Sequence, residues 1–143
     1  MEIKLFEIVL TGAVALAAPS LSYYLTKRHE LRVAQHNLKL SQYQEFMDAL
    51  AGIIDGEATD EGHKRFGHAT NTLQLVASND VMVALHAYRE EISYSNEHRN
   101  IDNEYALLSR LVWEIRKDLN DAPTPNPSDF SARLWASAPP KPK

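Results

Sequence analysis

The feature that most constrains this chain is an uncharged stretch near its start. No Asp, Glu, Lys or Arg lies between Glu7 and Lys27. As a helix, residues 8–25 extend roughly 27 Å at about 1.5 Å per residue, close to the lower limit for crossing a bilayer. The run is only moderately apolar, because Thr11, Gly12, Pro19, Ser20 and Ser22 dilute it. Pro19 removes one backbone donor and bends a helix. Tyr23 and Tyr24 stand where an interfacial aromatic belt is expected. The flank before the run carries Glu2, Lys4 and Glu7, and the flank after it carries Lys27, Arg28 and Arg32 against Glu30. That asymmetry predicts a single-pass anchor in the inner (cytoplasmic) membrane, with the N-terminus outside and the C-terminal domain in the cytoplasm.

Two other readings compete. A cleaved signal peptide offers Ala15 and Ala17 as a cleavage site but has an n-region of the wrong sign. A buried helix of a soluble domain accommodates the same residues. Ala13 and Ala17 form a small-residue pair at helical spacing, which also occurs by chance in an alanine-rich segment.

Beyond the run the pattern is all-α. Thr26 to Ile54 contains no proline, and its first glycine is Gly52. Val33, His36, Leu40, Tyr43, Met47, Leu50 and Ile54 follow alternating steps of three and four, which suits a coiled-coil seam or one helix of an antiparallel bundle. The first half, polar on most sides, reads as a stalk. His36 in that seam is either a titrating switch or a partly exposed stalk residue. Gly52 and Gly56 bracket the helix end, before an acidic turn that lacks the ligand spacing of a calcium loop.

A further helix is predicted over residues 61–77, capped by Thr59 or Asp60, with Phe66, Ala69, Leu73 and Val76 in one stripe. Asn71 and Leu75 lie off that stripe, as a second buried flank or a polar contact between helices. Ser78 caps the next helix, which runs to about residue 95 with Val81, Leu85, Tyr88 and Ile92 facing inward. Asn100 or Asp102 caps the last long helix, to about residue 119. Tyr105, Leu108, Leu111, Val112, Ile115 and Leu119 form its apolar face. Trp113 lies off that face and is expected to cover something. The stretch DAPTPNP stops the helix, and Ser128 caps a short turn carrying Phe130, Leu134 and Trp135. That turn is expected to dock on the Trp113 side.

The predicted organisation is therefore an anchor over 1–26 and a stalk helix leading into an antiparallel bundle of about four helices over 27–120. A proline-rich linker with a short helix at 128–136 and a disordered end completes it at 121–143. The net charge of -4 argues against a nucleic-acid partner, and the absence of cysteine removes thiolate metal sites and cysteine nucleophiles. His63 and His68, five apart, do not share a helix face, so no metal is expected. No nucleophile elbow or zinc-protease motif is present, and no cofactor is implied.

The run from Asn71 to Ser78, Val81 with Ala84-Leu85-His86, Glu91-Ile92, Leu107-Leu108-Ser109, and Ile115 to Leu119 carry a resemblance. With the closing Phe130, Leu134 and Trp135, they make the chain similar to a set of short bacterial single-pass membrane-anchored helical proteins. That set has no established activity. The resemblance implies the same architecture and singles out Asn71, Ser78, Glu91, Arg116 and Asp118 as its polar positions. Each has a structural use: Ser78 as a cap, Glu91 with Arg116 as a bridge, Asn71 as a contact between helices.

Three functions follow from these readings. The first is a membrane-anchored interaction or scaffold module. It contacts lipid through Lys27, Arg28 and Arg32, and a protein partner or its own copies through Trp113, Phe130, Leu134 and Trp135. The second is a membrane-acting effector or small channel component built from clustered anchors. The third is an enzyme with an inter-helix site around Asn71, Glu91 and Arg116. The first is preferred and a non-enzymatic role expected.

Overall fold

A computed structural model describes residues 2–54 and 59–134, with side chains described from residue 20 onward. The described residues form four α-helices and no strand. These are α1 (Glu2–Ile54), α2 (Asp60–Leu73), α3 (Asn79–Glu91) and α4 (Ile101–Asp118), followed by a 3-10 turn at Pro127–Asp129. The all-α expectation holds. The chain divides into two compact units, Met1–Asn37 and Leu38–Lys143.

In the first unit, the residues described from Ser20 to Asn37 are exposed throughout. Among the described residues no helix is long and apolar enough to cross a membrane. The side chains of residues 2–19, which carry most of the uncharged run, lie outside that description, so the transmembrane expectation gains no support here. Gly12, Ala13, Ala17 and Pro19, the positions an anchor-clustering role depends on, belong to the same segment.

The second unit is organised around one apolar core. Tyr43, Phe46, Ala49 and Leu50 of α1 meet Ala69 and Leu73 of α2, Val81, Leu85 and Tyr88 of α3, and Leu108, Leu111 and Ile115 of α4. The predicted stripes on α2, α3 and α4 supply most of this set. On α1, Tyr43 and Leu50 of the predicted seam are buried and Met47 packs on the core, but Phe46 joins them and the first part of the seam does not. Phe46 is fully buried and stacks obliquely on Phe66, with ring centres 5.8 Å apart. Val33 and Leu40 stay exposed at 43% and 37%. A heptad seam continued through residues 33–40 is therefore not buried within one chain. Within the second unit the three short helices cover the face of α1 that carries Tyr43, Phe46 and Leu50.

Each short helix starts on a side chain that satisfies an otherwise orphaned amide. Thr59 Oγ1 accepts from the Gly62 amide at 3.1 Å, Ser78 Oγ from Val81 at 3.4 Å, and Asn100 Oδ1 from Asp102 at 2.9 Å. Helix α4 ends where Asn120 enters the left-handed region at φ 61°. The Asp121 amide bonds the Arg116 carbonyl and the Asn120 amide bonds that of Lys117, the paired bonds of a Schellman stop. Two expected boundaries shorten. Helix α2 ends at Leu73 and α3 at Glu91, where turns replace the predicted last helical residues.

Burial separates two leucines of equal size. Leu85→Ala, at a fully buried position, should cost about 3 kcal/mol in chemical denaturation. Leu75→Ala, at a position 84% exposed, should stay within about 0.5 kcal/mol. Equal losses at the two positions would contradict this core.

Candidate functional site

The densest polar arrangement lies where three elements converge on the end of α4. Asp118, in the last turn of that helix, accepts a hydrogen bond from the Tyr43 hydroxyl at 2.6 Å. It also receives both contacts of the Lys39 ammonium, at 3.0 and 2.9 Å. Lys39 and Tyr43 stand one turn apart on α1, so a single face presents both donors. Burial pushes the Asp118 carboxyl up, but the hydrogen bonds from Tyr43 and Lys39, the Lys39 charge and the Ser78 backbone outweigh it and hold the group below its ordinary value. Tyr43 moves the opposite way, because burial and the bond to Asp118 both disfavour its phenolate. A phenol held protonated as a donor and a carboxylate held ionised as an acceptor make a structural clamp. Neither is poised to exchange a proton near neutral pH.

The other polar positions separate. Ser78 is the N-cap of α3, as expected. Glu91 does not bridge to Arg116. Its two oxygens accept from the Asn100 amide and the Asn103 side chain, each at 2.7 Å. Arg116 instead pairs with Asp121, its Nε lying 3.2 Å from the carboxylate. The geometry of antiparallel neighbours explains the correction. The end of α3 faces the start of α4, and Arg116 is about 24 Å further along that helix at about 1.5 Å per residue. The other end is closed by Lys117 and Asp80, 2.9 Å apart.

Asn71 is also corrected. It is exposed, and its side chain meets only Gln74, at 3.4 Å, rather than another helix. Asn71, Glu91 and Arg116 therefore do not converge, and the inter-helix site proposed around them is not formed. His36 is exposed. Among the described residues no three metal-ligating side chains come together.

Trp113, off the apolar face of α4, is only 7% exposed. The segment after α4 folds back over it. The indole N–H donates to the carbonyl and hydroxyl oxygens of Thr124, both at 3.2 Å. Arg110 and Lys117 lie over the ring at 5.5 and 5.4 Å. The chain then runs along α4, where the Ala132 amide donates to Ser109 Oγ at 2.9 Å. Leu134 packs on the core and Phe130 is half-buried. Docking on the Trp113 side is thus present, but not as the expected helix. Only Pro127–Asp129 is helical, because Pro125 and Pro127 withhold donors and favour extended backbone before them. Trp135 lies outside the described residues.

Sequence patterning missed the burial of Glu114, Glu104 and Thr70. Glu114 is 2% exposed and pairs with Arg110 and Lys117. Glu104 is held by Arg99 at 2.7 Å. The hydroxyls of Thr70 and Tyr88 are buried without a partner among the described residues. Burial and the nearby Glu104 charge push the Tyr88 phenol upward. The arginines at i-4 and i-5 to these glutamates were the available signal for their burial.

The two buried tyrosines should therefore respond in opposite directions. Tyr43→Phe leaves Asp118 with Lys39 alone and should cost about 1–3 kcal/mol, whereas Tyr88→Phe removes an unpartnered hydroxyl and should be neutral or stabilising in the same melt. For Asp118 the folded-state pKa lies below the unfolded one. Its contribution is complete above the ordinary carboxylate range and disappears as pH falls through the folded value. The wild-type Tm should thus drop between about pH 5 and pH 2 more steeply than that of Asp118→Asn. Parallel Tm profiles would refute the clamp. No protein-family model, curated protein or solved structure matches this chain.

Proposed function

We propose that the chain is a membrane-tethered helical interaction module, anchored through residues 8–25 with its helical domain in the cytoplasm. The observation that carries this reading is the continuity of α1. One helix runs from Glu2 to Ile54, so the uncharged run leads without a break into Lys27, Arg28 and Arg32. All three of those side chains are exposed, and Lys27 meets only Glu30, at 3.1 Å. Anionic lipid headgroups attract such a cluster, by about 1 kcal/mol per basic residue near the surface. The resemblance to short single-pass bacterial proteins supports the same arrangement.

The non-enzymatic part of the reading rests on how the polar side chains are used. Ser78 caps a helix, Glu91 and Asp118 are occupied by neighbours, and Arg116 holds the end of α4. The face offered to a protein partner is the outer side of α4 with the segment laid across it. There Phe130 and Leu134 are half-buried, and Tyr105, Arg110 and Phe130 border an open groove.

Membrane fractionation tests the tether. The full chain should stay in the pellet through an alkaline carbonate wash, and removal of residues 1–26 should release it. Recovery of the full chain in the carbonate supernatant would reject the reading. Charge reversal at Lys27, Arg28 and Arg32 together should lower the fraction oriented with the C-terminus inside, as read by protease protection.

A further inference from the structure

At the end of the core opposite Asp118, a cleft of about 680 Å³ opens between the last turn of α1, the start of α2 and the end of α3. That volume is in the range that holds a small organic molecule. Its apolar lining comes from Ile53, Ile54, Phe66 and Ile92. Three nitrogen-bearing side chains border it from three different elements: His63 from α2, Arg89 from α3 and Arg99 from the α3–α4 connection. Ser93 and Ser95 add two hydroxyls, 2.8 Å apart.

Among the described lining residues the cationic side chains have no carboxylate beside them in the lining. Arg99 directs Nε and Nη2 to a single oxygen of Glu104, at 2.9 and 2.7 Å. Arg89 has no ion-pair partner among the described residues, and no carboxylate is among the cleft's described lining residues. A guanidinium offers a planar fork that suits a carboxylate. An apolar lining requires an equally apolar body on the same molecule.

From this juxtaposition we propose that the cleft binds a small apolar carboxylate, its hydrocarbon or aromatic body on Ile54, Phe66 and Ile92 and its anionic end at Arg89. The site is separate from the tether and from the α4 face, and it stands whether or not the chain is anchored.

The test uses the full chain in lipid nanodiscs with isoleucine δ1-methyl labels, titrated with 3-phenylpropionate and followed by NMR. Protein-free nanodiscs serve as the blank. The methyl groups of Ile53, Ile54 and Ile92 should shift saturably at or below about 5 mM ligand, in the affinity range of a single small anion. Ile101 and Ile115 should not move. The uncharged 3-phenylpropanamide should need roughly ten times the concentration, the factor expected when one charged hydrogen bond is lost. Arg89→Gln, at an exposed position that leaves the core intact, should weaken 3-phenylpropionate by a similar factor. Ile54→Gln should weaken both compounds. The proposal is overturned by no saturable shift, by shifts centred away from the three cleft methyls, by equal binding of acid and amide, or by an Arg89→Gln titration that matches the wild type.

Discussion

The second unit depends on one carboxylate. Asp118 is the point where α1 and the end of α4 are tied together, through Lys39 and Tyr43. An apolar interface between helices tolerates sliding by a turn at modest cost, because one leucine packs much like another. A partly buried carboxylate that needs a hydroxyl and an ammonium does not, since any other register leaves it without partners. The clamp thus selects which turn of α1 faces the three shorter helices, and it explains why burial on α1 begins at Tyr43.

From that point the core is built by ordinary means. Helices α3 and α4 run antiparallel and are pinned at both ends, by Glu91 with Asn100 and Asn103 and by Asp80 with Lys117. Exposed pairs such as Lys117 with Asp80, or Arg65 with Glu45, add little stability in water. Their role is alignment, while the free energy comes from burying Phe46, Leu50, Leu73, Leu85 and Leu111. The segment after α4 serves as a fourth side wall. It supplies carbonyl and hydroxyl partners for Trp113 and is held to Ser109, which lets a bulky amphipathic ring be buried outside the main core.

This division of labour bears on function. The ionised side chains nearest the core, Glu104, Glu114 and Asp118, are taken up by neighbouring cations and a hydroxyl. Exposed basic side chains lie elsewhere. The basic flank at Lys27, Arg28 and Arg32 is exposed on the first unit, and Arg89 stands at the rim of the apolar cleft.

Local rules were enough to read the helices, their caps and most inward stripes. Ser78, Asn100 and Thr59 act on amides two or three residues away, and the stripes on α2, α3 and α4 follow from a 3.6-residue period. The relations between distant residues were not legible in this way. Periodicity marks a face as apolar but does not say which neighbour covers it, so the α1 seam ran through Met47 instead of Phe46 and was carried through Val33, which stays exposed. Charge alone suggested that Glu91 pairs with Arg116, yet antiparallel packing put them at opposite ends of α4. The cover on Trp113, the clamp on Asp118 and the cationic rim of the cleft each join residues far apart in the chain. Only tertiary packing brings such groups within hydrogen-bonding or van der Waals range, because their contact depends on how the helices cross and not on any spacing along one of them.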